Sequence, residues 1–166
     1  TIEISELKQN WTINDVKRVR LNLGLLLLPP SILKNQKDDF TIILDAYYKP
    51  HFVKQAVDAI FRQTYSNLEI ILINNGATPE TLEYIYEVEK VDNRVKLIHF
   101  EDNQYSSEDP SKMSEVCLNA GLRVATGEYV YYQSYDDIMA DDYVEKMVTL
   151  FQENPECTSA AGIHVS

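Results

Sequence analysis

From residue 40 onward, short apolar runs alternate with stretches whose apolar residues recur every three or four positions, and this alternation restricts the fold more than any other feature. Phe40 to Ala46 reads as a strand, followed by a helix with Phe52, Ala56, Val57, Ile60 and Phe61 on one face. Leu68 to Ile73, bounded by Ser66-Asn67 and Asn74-Asn75-Gly76, is a second strand; the helix after it, Pro79 to Lys90, turns Leu82, Ile85 and Tyr86 inward. Arg94 to Phe100 supplies a third strand, and Met113, Val116, Cys117, Ala120 and Val124 mark a third helical face that Gly127 ends. Tyr129 to Gln133 is a fourth strand, and Asp141 or Asp142 caps a helix with Val144, Met147, Val148 and Phe151 inward. Ser159 to Val165 suits a fifth strand. The pattern predicts an α/β fold, a mostly parallel sheet flanked by helices, with ligands beyond the carboxyl ends of the strands. Three loops are thereby selected: Asp45 to Pro50, Asn74 to Pro79 and Ser134 to Asp142.

The first 39 residues are organised differently. Val16, Val19, Leu23, Leu26 and Leu27 recur at helical spacing after a Thr12/Asp15 capping pattern, until Pro29-Pro30 stops the run. An accessory helix is expected there, with Lys17, Arg18 and Arg20 beside its apolar stripe, suited to its own domain, to a partner helix or to an anionic membrane surface. Lys34 to Asp39 reads as a linker, which divides the chain into an extension over 1–39 and one domain over 40–166. Charge follows that division: 1–39 holds six basic and five acidic residues, 40–166 nine and twenty-one. The net charge of −11 argues against a nucleic-acid partner, because phosphate neutralisation needs a basic surface. Cys117 and Cys157 form neither a CxxC pair nor a disulfide framework, and the longest apolar run, Leu25 to Pro30, is far below the ~20 residues of a membrane span. A cytoplasmic setting is expected, with peripheral contact at the inner face of the membrane. His51, His99 and His164 are dispersed, and no Ser-His-Asp order, Walker loop or GxGxxG motif is present.

The loops carry a resemblance. Ile42-Ile43-Leu44-Asp45-Ala46-Tyr47-Tyr48-Lys49-Pro50, then Arg62-Gln63-Thr64-Tyr65, then Leu68 to Thr78 with Asn74-Asn75-Gly76, resemble in order and spacing the opening of a family 2 glycosyltransferase of the GT-A fold. Asn119, Ala125-Thr126-Gly127-Glu128-Tyr129-Val130 and Tyr135-Asp136-Asp137-Ile138 are similar to that family's later helix, strand entry and metal-binding aspartate motif. The resemblance spans about residues 41–163 and implies a Rossmann-like sheet forming the donor-binding half of an inverting glycosyltransferase. It implies a nucleotide-sugar site of Ala46, Tyr47, Asn75, Lys112, Tyr135 and Asp136, with Mn²⁺ or Mg²⁺ held by Asp136 and Asp137. A UDP-sugar donor and a carbohydrate or glycoprotein acceptor hydroxyl follow from the same likeness.

The chemistry accounts for these residue types, since a nucleotide sugar brings a flat base, a ribose and a diphosphate whose charge a cation offsets. Each position also has a plainer reading: Tyr47 as a strand-end core tyrosine, Asn74-Asn75-Gly76 as a tight turn, Asp136 and Asp137 as turn or cap acids, and Lys112 as a solvent-facing lysine. Three positions depart from the family pattern. Asn75 stands where an aspartate accepts from the base, Ser134 at the first place of Asp-x-Asp, and Asp45 where proline is common. The family's catalytic base lies beyond the matched stretch and is not expected within this chain. The departures also suit a non-catalytic module that assembles with itself or a partner enzyme. An unfinished sheet and an apolar helical stripe predict a homo-oligomer.

Overall fold

The computed structural model describes residues 25–27, 40–109 and 112–160. Its elements run β1 (Leu25–Leu27), β2 (Phe40–Ala46), α1 (Pro50–Phe61), β3 (Leu68–Asn75), α2 (Pro79–Val91), β4 (Val95–Phe100), α3 (Lys112–Val124), β5 (Tyr129–Gln133), α4 (Tyr143–Glu153) and β6 (Ser159–Ala160). The sheet order is β4-β3-β2-β5-β1-β6. Its four strands from β4 to β5 are parallel, while β1 pairs antiparallel with both β5 and β6.

Strand order decides which helix covers which face. The chain steps outward from β2 to β3 to β4, then returns past β2 to form β5, and right-handed crossovers in opposite directions place their helices on opposite faces. Accordingly α1 and α2 bury Val53, Ala56, Val57, Ile60, Ile85 and Val88 against Phe40, Ile42, Leu44, Leu68, Ile70 and Leu72, and α4, which the rule does not place, adds Val144, Met147, Val148 and Phe151 to the same face. On the other face α3 buries Cys117, Leu118 and Leu122 against Ile43, Ile71, Ile73, Val130 and Tyr132. Both faces of β2 and β3 are covered, which is why these strands read as continuous apolar runs rather than alternating ones.

Several expectations change. Leu26 and Leu27 lie in β1, not in a helix, because their backbone pairs with Val130 and Tyr129; Val16, Val19, Leu23, the 34–39 linker and residues 161–166 lie outside the described residues. Tyr86 is 38% exposed and Val124 43% exposed, so neither faces the core; α3 turns Leu118 and Leu122 inward instead. The second strand runs two residues further than Ile73, through Asn74 and Asn75. Gly127 lies beyond the end of α3 and has another purpose. A Cβ there would stand 2.6 Å from the Thr41 hydroxyl oxygen and 2.7 Å from the Thr41 nitrogen, so only glycine lets the segment before β5 approach β2.

Candidate functional site

Reversal of strand order between β2 and β5 opens a crevice at their carboxyl ends, the place where α/β sheets bind ligands. The first side chain there is Asp45, 2% exposed. Its Oδ1 accepts the Tyr132 hydroxyl at 2.5 Å, while its Oδ2 is buried without a partner. Burial pushes this carboxyl above its ordinary 3.8; the Tyr132 bond opposes the shift, and the nearby Asp136 charge adds to it. Burial and the Asp45 charge likewise push the Tyr132 phenol upward.

An acid whose folded pKa is raised makes the fold lose stability as pH rises from its unfolded pKa to its folded one. Asp45→Asn, which imitates the protonated form, is therefore expected to stabilise the fold at pH 7 by about 1 kcal/mol. Urea unfolding at pH 7 checks this; a loss of stability would show that the charged carboxylate is satisfied in the fold.

Asn74 and Asn75 end β3. The Asn74 Oδ1 accepts the Ala77 N–H at 2.7 Å, and its Nδ2 donates to the Phe100 carbonyl at 3.2 Å, which fixes the turn. Asn75 is fully buried; its Oδ1 accepts the Gln104 N–H at 2.9 Å, and its Nδ2 has no partner. Between them and Thr78, Gly76 adopts φ +62°, and a Cβ on it would meet the Asn103 nitrogen at 2.4 Å. Glycine is thus required for the 102–104 loop to sit over the strand end. The Thr78 N–H donates to the Tyr47 carbonyl at 3.1 Å, and the pairing of Ala46 with Asn74 brings half-buried Tyr47 beside Asn75. Ala46 itself is a core residue of β2, so it borders the crevice through its backbone rather than its side chain.

The acidic loop follows β5. The Gln133 Nε2 donates to the carbonyls of Ser134 (2.9 Å) and Asp137 (2.7 Å), leaving its Oε1 buried without a partner. Ser134 donates its hydroxyl to the Asp136 Oδ1 at 2.5 Å and so orients that carboxylate. Asp136 and Asp137 are exposed, and Tyr135 is half-buried with its ring 6.1 Å from that of Tyr48. Burial and hydrogen bonding to Tyr48 push the Tyr135 phenol up to about 12. The same bond, together with the Lys49 ammonium, pulls the Tyr48 phenol down. Lys49 lies over the Tyr48 ring at 4.9 Å and is the one non-glycine residue with positive φ among the described residues. The crevice thus brings together Tyr47 and Asn75 at one end and Tyr135 and Asp136 at the other. Lys112 is exposed at the first turn of α3, and no described contact joins it to them.

Gln63 contributes in a way that its place in the sequence does not reveal. Its Nε2 donates to the Ala140 carbonyl at 2.7 Å and its Oε1 accepts the Val144 N–H at 3.0 Å, so a residue after α1 caps α4 and holds the end of the acidic loop. Among the described residues no group of three or more His, Cys, Asp or Glu side chains is placed to hold a metal ion. The donor set still fits a hard divalent ion, since Mg²⁺ is commonly bound by one or two carboxylates plus substrate phosphates and water.

Strand order and flanking helices define an α/β domain of the GT-A fold, shared with S. aureus TarS in complex with UDP-GlcNAc (TM-score 0.58, 17% identity, covering 70% of this chain and 32% of that one). The mannosyltransferase PcManGT from Pyrobaculum calidifontis, in complex with GDP-Man and Mn²⁺, has the same fold (TM-score 0.56, 21% identity, covering 73% and 37%). The chain belongs to glycosyl transferase family 2, whose model matches residues 41–165. An uncharacterized glycosyltransferase of Haemophilus influenzae is 34% identical over 119 residues, 72% of this chain and 34% of the relative. Glycosyltransferase GlyA of Streptococcus pneumoniae is 31% identical over 110 residues, 66% of this chain and 14% of the relative. The chain therefore spans about a third or less of the length of these relatives. No helix among the described residues is long and apolar enough to cross a membrane.

Proposed function

We propose that this domain binds the donor of a glycosyltransferase, a nucleotide sugar whose base lies by Tyr47 and Asn75 and whose diphosphate lies by Asp136. The observation that carries this reading is the set of unmet buried polar atoms on Asp45, Asn75 and Gln133, at the carboxyl ends of three neighbouring strands. Each such atom costs roughly 1–3 kcal/mol when left unpaired, a cost that a polar ligand removes. The proposed donor is a UDP-sugar, a reading supported by the UDP-GlcNAc complex of TarS. Mn²⁺ or Mg²⁺ is proposed as the cofactor, supported by the Mn²⁺ in PcManGT; bound at Asp136, with Asp137 beside it, the ion would offset diphosphate charge. Lys112 is proposed to approach the diphosphate from α3.

The reaction proposed for the whole protein is inverting transfer of the sugar to a carbohydrate or glycoprotein hydroxyl, and no catalytic base is assigned to the described residues. We place it in the cytoplasm, in contact with the inner face of the membrane, as a homo-oligomer; a monomer by light scattering overturns the last point. Calorimetric titration of the chain with UDP and UDP-GlcNAc tests the donor site. Binding in the millimolar range or tighter, strengthened by Mn²⁺, is expected. Absence of heat at several times that concentration, roughly 5 mM, removes the reading.

A further inference from the structure

The Asn75 amide has a fixed orientation. Its Oδ1 faces the Gln104 backbone N–H, which can only donate, so the oxygen and nitrogen cannot be exchanged without setting two donors against each other. The group left over is the Nδ2, buried and unpartnered. It ends β3, where the pairing of Ala46 with Asn74 sets Tyr47 and Asn75 next along adjacent strands, so an aromatic residue and an unmet amide NH2 share one strand end. This pairing suits a flat heterocycle that offers an acceptor.

Resting on the donor-site reading, we infer that Asn75 reads the base as a donor, so that the site takes cytidine diphosphate at least as well as uridine diphosphate. The two pyrimidines differ at the centre of the edge that faces a pocket. N3 carries a hydrogen in uracil and a lone pair in cytosine, whereas O2 accepts in both. The amide NH2 donates favourably to cytosine N3 and is repelled by uracil N3–H, so that uracil must shift to present O2 or O4. A carboxylate at the same position would reverse the preference, since it accepts from N3–H and repels the cytosine lone pair. Gln104 would still occupy one of its oxygens.

The experiment measures UDP and CDP affinity on the whole chain by calorimetry, for the wild type, Asn75→Asp and Asn75→Ala. The wild type is expected to bind CDP no more weakly than UDP. Asn75→Asp should move the ratio toward UDP by about tenfold or more, the equivalent of one hydrogen bond. Asn75→Ala adds no buried charge and keeps the measurement available if the aspartate variant does not fold. It should weaken CDP by about tenfold while moving UDP by less than about threefold. A wild type that favours UDP by about tenfold, or an alanine variant that loses both nucleotides equally, overturns the inference and leaves the donor site standing. No binding of either nucleotide overturns the donor site and the inference with it.

Discussion

Glu69→Ala is expected to lower folding stability by about 3 kcal/mol or more, the largest effect of any single change considered for this fold. Glu69 is 1% exposed near the start of β3. Its Oε2 accepts the Thr41 hydroxyl at 2.6 Å and the Thr126 N–H at 2.7 Å, and its Oε1 accepts the Thr126 hydroxyl at 2.8 Å and pairs with Lys96. One carboxylate therefore ties together β2, β3, β4 and the segment entering β5. Lys96 is 49% exposed and regains water when the carboxylate is removed, so the ion pair contributes little to the loss. The cost comes from the threonine groups left unpaired in the interior and from the space vacated.

Burial alone would raise the Glu69 pKa, but Lys96, Thr41 and Thr126 outweigh it and hold the carboxyl below its ordinary 4.5. A depressed pKa contributes stability that is present above the unfolded value and lost as pH falls through the folded one. Urea midpoints measured from pH 7 downward should fall below about pH 4.5 in the wild type and fall less in Glu69→Gln. Equal acid sensitivity in both would mean that the carboxylate is not held as described. Asp45 acts with the opposite sign, losing stability as pH rises above 3.8, so Asp45→Asn should leave the Glu69 acid limb in clearer view.

Asp136→Asn is expected to weaken Mn²⁺-assisted nucleotide-sugar binding by about tenfold or more, and Asp137→Asn by less. Ser134 already directs its hydroxyl to the Asp136 Oδ1, which leaves the other oxygen for a cation. The Asp137 carbonyl, by contrast, is used by Gln133 to shape the turn, so its backbone contribution survives the change to asparagine. Calorimetry with and without Mn²⁺ separates the two. Equal losses, or a greater loss at Asp137, would place the cation on the neighbouring residue.

Parts of this molecule were legible in the sequence for identifiable reasons. Val144, Met147, Val148 and Phe151 sit on a helix with one strongly apolar face, and all four are buried as their spacing implied. The spacing marks Cys117 correctly but turns Val124 inward, because the interior side of α3 also carries Asn119 and Gly121, which hydrophobic spacing does not mark. Leu25 to Leu28 is uniformly apolar, so it has no period to distinguish helix from strand; only pairing with β5 and β6 decides. Tyr47, Tyr135 and Asp136 could be placed after strand ends because the apolar runs before them mark where β2 and β5 stop. The orientation of Asn75, the capping of α4 by Gln63 and the Ser134 bond to Asp136 depend on residues 29, 81 and 2 positions away, and only the folded arrangement reveals them.

The proposed cation and nucleotide share one end of one sheet, and paramagnetic broadening by Mn²⁺ reads that location directly. Amide resonances of the chain would be recorded with a UDP-sugar and substoichiometric Mn²⁺, using Mg²⁺ as the diamagnetic reference. The predicted result is broadening centred on Ser134 to Asp137 and extending to Asp45–Tyr47, with Glu69 and the start of β3 unaffected. Broadening at exposed acids elsewhere, such as Glu87 or Glu153, with the strand ends sharp, would rule out the proposed cation site.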